Sequence, residues 1–267
     1  MQWLSLALYA ASLGCYARIL YSPHVWLGRL GTLLLVGGLA AHYFALLDRS
    51  RATHTVPYDD LYGSMSLFAW LLAVTYLALE LFHWQRTVGA VVTGFLLLWM
   101  GALEIFASNN AAVSPKISGA LFALHVTLNT WAYSAFCLSF VLSLVYLLQD
   151  ALLRSRRLGT AFWRFPPLDL LDRMARESVG VGLAALCFGV GSGFVWEHRL
   201  SGSFAWADPK VIFTLAILVV YFAYLVLSHR SGWRGSRAAL FCALNFVIVL
   251  FSYTVVNLYL THFHRFF

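Results

Sequence analysis

Apolar runs separated by short polar connections divide the chain into eight predicted spans: 3–21, 27–47, 62–82, 87–105, 120–148, 178–197, 210–228 and 238–261. Crossing a hydrocarbon core of ~30 Å takes about 20 helical residues, which these runs supply. The expected fold is an all-α integral membrane protein, one transmembrane domain over 1–267, built as a bundle of about eight transmembrane helices. The first run opens Met1-Gln2-Trp3 with no basic segment and no small-residue cleavage pattern after it, so it is expected to be a retained span. Within the long fifth connection, Leu168, Leu171 and Ala175 share a helical face opposite Asp169, Asp172, Arg173 and Arg176. That pattern predicts a short interfacial helix.

Charge adds sidedness. Arg18 and Arg29 flank the first connection and Arg86 lies in the third. Arg154, Arg156, Arg157, Arg164, Arg173 and Arg176 crowd the fifth, and Arg230, Arg234 and Arg237 the seventh. Basic residues favour the cytoplasmic side, so alternate connections are cytoplasmic and both termini lie on the outer side. The net charge of +7 is thereby read as topology and not as a nucleic-acid footprint. Composition agrees: 61% hydrophobic against 11% charged leaves no soluble domain. Cys15, Cys137, Cys187 and Cys242 lie far apart inside apolar runs and are expected to be buried packing residues, which excludes a thiol-disulfide carrier. No cluster of intramembrane carboxylates supports a solute transporter, since Glu80 and Glu104 lie near span ends.

The candidate chemistry is in the histidines and in one aromatic stretch, Gly193 to Lys210, between the sixth and seventh spans. Its aromatic residues suit either a shelf for a flat, anionic, hydrophobic ligand or an interfacial belt, with Asp208 capping the next helix and Pro209 in its first turn. His125 and Asn129 share a face of the fifth span, with Tyr133 less closely aligned; that polar stripe belongs inside the bundle. At the end of the last span His264 shares a face with Leu260, Asn257 and Tyr253, whereas His262 falls among Leu258, Val255 and Phe251, so His264 is the better inward ligand. Fraying before Arg265 would free both. His125, His264 and the shelf all fall on the outer side, where two imidazoles would serve as axial ligands to haem, with Lys116, Arg199 or Lys210 near its propionates. The competing reading is that the two helices are not neighbours. His42, in the outer half of the second span, reads either as a further internal ligand or as a packing hydrogen bonder.

Several segments resemble the CcsA-like cytochrome c assembly family, including its HemX and YpjD branches. They are Pro57, Leu61-Tyr62, Ser64 and Ser66 to Trp70; His125 with Ser134-Ala135; Pro167-Leu168-Asp169; Gly193 to Trp196; Gly202-Ser203-Phe204, Trp206 and Asp208-Pro209-Lys210; and Gly232 to Gly235, Val256 to Leu258 and His264. The resemblance covers most of the chain. It implies a multi-pass protein of a bacterial-type cytoplasmic membrane that handles haem (haem b) at the outer face. Two external histidines, by position His125 and His264, would flank a tryptophan-rich region represented by Trp196, Phe204, Trp206 and Asp208. The implied partners are apocytochrome c, whose thiols receive the haem, and a CcsB-like membrane protein. Ser201, Ala205 and Ala207 stand where the family has tryptophans, Val211 where an acidic residue usually follows, and Val226 where a further histidine is often found. These departures favour an accessory branch such as HemX, associated with control of haem biosynthesis. A non-catalytic scaffold that has lost haem is the rival from another class. With no Ser/His/Asp or thiol constellation, the chain is expected to position haem and apocytochrome, as a haem chaperone or synthase subunit, and not to supply a nucleophile.

Overall fold

A computed structural model of the protein describes residues 1–22, 24–53, 61–106, 119–156, 159, 164–202 and 208–251. The described residues form eight α-helices: α1 Gln2–Ile19, α2 Val25–Thr53, α3 Leu61–His83, α4 Gly89–Phe106, α5 Ala120–Arg154, α6 Leu168–Ser201, α7 Pro209–Ser228 and α8 Ser236–Phe251, with a 3-10 turn at Ser231–Trp233 before the last. Each matches one predicted span. Five of them, α2, α3, α5, α6 and α7, are long and apolar enough to cross a membrane; α4 and α8 are apolar but shorter. The chain is a multi-pass membrane protein.

The expected separate interfacial helix does not occur. Leu168 to Ser201 is one helix of 34 residues, because nothing breaks the chain after Pro167 and the buried face continues in phase through Leu171, Ala175, Ser178 and Ala185. With α5 at 35 residues, two helices of about 50 Å project well beyond a ~30 Å core. Their projecting ends carry i,i+4 pairs, Asp150–Arg154 and Asp172–Arg176, and Ser236 at the start of α8 donates to Asp150 (2.7 Å). The cysteines are less uniform than expected. Cys137 and Cys242 are buried and Cys15 partly so, but Cys187 is on an exposed face of α6, where a small apolar thiol suits lipid as well as core.

The helices group into two halves joined along α3 and α5. In the first half, Tyr9 and Tyr16 of α1 lie against Gly38 and Gly31 of α2, where a Cβ would meet the tyrosine rings at 2.6 and 2.9 Å. Glycine there lets two backbones approach around an aromatic ring. In the second half, α5 and α6 make the most extensive helix contact among the described residues. Gly182, Gly189 and Gly193 of α6 receive Phe136, Asn129 and His125 of α5. The start of α1 meets the far ends of α2 and α4 and the start of α3, and the start of α5 meets the far end of α6. This is the His125 end of the bundle. The other end carries Glu80, Arg86, Asp150, Asp172 and the pair His83–Glu177, which ties α3 to α6 at 2.5 Å.

Candidate functional site

His125 sits in the second turn of α5, half-buried, with its imidazole turned onto the backbone of α6. Nδ1 donates to the carbonyl of Gly189 at 2.7 Å. That bond selects the tautomer: with the proton on Nδ1, the lone pair is on Nε2. One turn further on, Gly193 leaves the space the ring fills. A Cβ there would lie 2.5 Å from Cε1 and closer still to Nδ1. Asn129 completes the seat. Its amide donates to the His125 carbonyl (2.9 Å) and lies 3.1 Å from Nδ1 and 3.4 Å from Nε2, while its Oδ1 packs over Gly189 and is buried without a hydrogen-bond partner among the described residues. Ser192 also donates to the Gly189 carbonyl (2.9 Å), so two donors hold that oxygen in place.

On the same face of α6, one turn beyond Gly193, Trp196 lies against Phe122 of α5, ring centroids 5.0 Å apart and tilted by 41°. Beneath them is an apolar cluster of Leu46, Leu67, Leu71 and Phe122, with Trp70 and Trp131 packed on it. This cluster joins the two halves of the bundle under the candidate site. Helix α6 ends at Gly202, whose positive φ of 70° is the left-handed conformation glycine adopts at little cost. The chain re-enters helix at Asp208, which caps α7 by accepting from the Lys210 backbone N–H at 2.7 Å, with Pro209 in the first turn. Asp208 thus has a structural role. Asp208→Ala is expected to cost ~1 kcal/mol of stability, seen as a lower Tm in detergent.

The structure brings His125, Trp196 and the start of α7 to one end of the bundle. Phe204, Trp206, His264 and Lys116 lie outside the described residues. His42 is elsewhere, fully buried between α1 and α3, with Tyr9 Oη 3.3 Å from Nδ1 and Ser66 Oγ 2.9 Å from Nε2. Both ring nitrogens are engaged, so coordination by Nε2 would require Ser66 to move. Gly189, Gly193, Phe122 and Glu197, the last a carboxylate only 7% exposed, were not singled out as site residues from the sequence. The four-residue spacing of Gly189 and Gly193 was the available signal, since small residues at that interval mark close helix contact.

The residues present suit a haem iron: an imidazole whose Nδ1 is fixed by a backbone acceptor and whose Nε2 would reach iron once the Asn129 amide, 3.4 Å away, turns aside, with the Trp196–Phe122 pair on the same two helices and a seat at Gly193 that a Cβ would fill. Among the described residues no three His, Cys, Asp or Glu side chains gather to hold a bare metal ion.

A family profile described as Cytochrome C assembly protein matches residues 58–264. The chain is similar to Protein HemX of Brevibacillus brevis, 27% identical over 254 residues covering 94% of this chain and 92% of the relative. It is also similar to Protein HemX of Bacillus subtilis (strain 168), 28% identical over 218 residues, 80% of this chain and 78% of that one. Cytochrome c biogenesis protein CcsA of Parasynechococcus marenigrum (strain WH8102) is 29% identical over 227 residues, covering 76% and 74%. A profile matching from the third helix to beyond the eighth takes in both α5 and α6, the helices that build the His125 seat, and the chain belongs to the cytochrome c assembly protein family.

Proposed function

We propose that the protein binds haem at the outer membrane face and presents it during cytochrome c biogenesis, with Nε2 of His125 as one axial ligand and His264 as the other. The observation that carries the reading is the bond from His125 Nδ1 to the Gly189 carbonyl. It removes the proton from the nitrogen that would face iron and makes that nitrogen more basic. Gly193 and Asn129 hold the ring plane, and Trp196 against Phe122 offers an apolar wall at the mouth. Phe204 and Trp206 would extend that wall, and Lys210 and Arg199 would meet the propionates. Haem, when bound, supplies the vinyl groups to which the thiols of apocytochrome c add. This chain's residues hold and orient the group and keep water from one face.

Apocytochrome c and a CcsB-like membrane protein are the partners in this reading, in a bacterial-type cytoplasmic membrane. A second reading, HemX-type control of haem biosynthesis, draws on the relatives of that name and on Ser201, Ala205 and Ala207 in place of tryptophans. Absorption spectra of the purified protein, oxidised and reduced, test the ligation. The wild type is expected to show a Soret band, and His125→Ala and His264→Ala each to shift or abolish it. No band in protein from haem-replete cells, or a band indifferent to both substitutions, would sink the ligand assignment.

A further inference from the structure

The first four helices hold a second arrangement of buried polar groups that the haem reading does not use. At the His125 end, a cavity of about 330 Å³ is lined by Gln2, Asp48, Arg49, Tyr62, Ser66 and Glu104 among others. Glu104 accepts from Tyr62 Oη (2.6 Å) and Gln2 Nε2 (3.2 Å), and the Arg49 guanidinium lies over the Tyr62 ring at 4.6 Å. Ser66 is part of the cavity wall, is 1% exposed, and touches His42, which touches Tyr9. A hydrogen-bonded chain of three side chains therefore leads from the cavity wall to the middle of α1.

From there α1 continues as a column of hydroxyls. Ser5, Tyr9, Ser12 and Tyr16 all lie on its buried face, at spacings of four, three and four residues. Tyr16 donates to Glu80 at 2.6 Å; Thr32 donates to the same carboxylate, and Arg86 lies 3.6 Å from it. Tyr76, edge-on to Tyr16, adds a buried hydroxyl with no hydrogen-bond partner among the described residues. Glu80 is 1% exposed, whereas the Arg86 side chain is 20% exposed and brings the cluster to the opposite surface. Ionisable groups within a membrane span are costly to bury and commonly mark a proton or ion route.

We propose that α1–α4 carry a proton path from the cavity through Ser66, His42 and Tyr9 to Tyr16 and Glu80. At His42 the imidazole takes a proton on one nitrogen and releases one from the other, then returns to its starting tautomer, so only a proton crosses. From Tyr9 to Tyr16 is seven residues, roughly 10 Å along the helix, with Ser12 between, its hydroxyl donating to the Gly31 carbonyl at 2.8 Å. Transient water must fill that interval for a proton to pass. The path does not depend on haem, because its residues lie on α1–α3 and the haem seat on α5 and α6.

The test uses the whole protein in liposomes loaded with a pH-sensitive dye, under a potassium diffusion potential set with valinomycin. Acidification several-fold faster than in protein-free liposomes is expected, and its excess over that background should fall at least tenfold in His42→Leu and at least threefold in Ser66→Ala. Ser66→Ala removes one hydroxyl and keeps the packing, so it remains informative if His42→Leu folds poorly. Leu98→Ala, on an exposed face of α4, keeps the wild-type rate. A wild-type rate equal to that of empty liposomes, or a Ser66→Ala rate equal to wild type, would overturn the proposal.

Discussion

Gly193→Ala is expected to lose the His125 seat, and Gly191→Ala, two residues away on the same helix, to lose nothing. A Cβ at 193 enters the imidazole, whereas nothing lies within 4 Å of one at 191. The ring must swing away, breaking the 2.7 Å bond from Nδ1 to Gly189. Overpacking and an unsatisfied donor together cost about 2–5 kcal/mol, only partly offset by the ~1 kcal/mol that alanine gains over glycine in a helix. At 191 only the gain remains. Thermal unfolding in detergent should place Gly193→Ala several degrees below wild type, with Gly191→Ala at or above it. Repeating Gly193→Ala in a His125→Ala background removes the collision, so its cost there should fall close to zero. Equal melting temperatures for the two alanine variants would mean that the ring is not held against α6. Haem absorption, if His125 ligates it, should fall with the stability of Gly193→Ala and stay at the wild-type level in Gly191→Ala.

What the sequence made legible follows from the range of the interactions. His125 and Asn129 are four residues apart on one helix, and their shared face could be read from the helical period alone. The cap at Asp208 was equally local. The other wall of the seat was not, because Gly189 is 64 residues from His125, and pairing α5 with α6 depends on how two surfaces fit. Small residues in α6 were visible as sites of close approach, but nothing local says which side chain fills them. The merging of the interfacial segment with α6 was missed because a polar interval in an amphipathic pattern looks the same whether a helix stops or projects from the membrane. Glu80 was placed near a span end, where an exposed carboxylate is unremarked; its burial comes from Tyr16, Thr32 and Arg86 on three other parts of the chain. His42 remained open between ligand and packing residue because both readings place the same polar group inside the same span. Its two neighbours, Tyr9 and Ser66, lie 33 and 24 residues away.

Removing the carboxylate of Glu80 is expected to be the most damaging single change in the α1–α4 half. The side chain is 1% exposed and accepts from Tyr16 at 2.6 Å and from Thr32, while Arg86 approaches it at 3.6 Å and also donates to Thr32 at 3.1 Å. One residue therefore ties α1, α2, α3 and the connection into α4. Glu80→Ala strands the buried Tyr16 hydroxyl and a partly buried guanidinium, while Thr32 keeps the Gly28 carbonyl as an acceptor at 3.0 Å; breaking such a pair from one side costs ~3–5 kcal/mol. Glu80→Gln keeps an acceptor for Tyr16 but leaves Arg86 uncompensated, so a smaller loss is expected. Replacing both partners, Glu80→Ala with Arg86→Met, removes the stranded charge and should recover part of the loss, since a buried ion pair exchanged whole for apolar groups is often close to neutral. Unfolding followed by circular dichroism on the two single variants and the double variant gives the coupling energy directly. If the double variant is as unstable as the sum of the singles, Glu80 and Arg86 act independently, and the carboxylate holds α1 and α2 to α3 through Tyr16 and Thr32 alone.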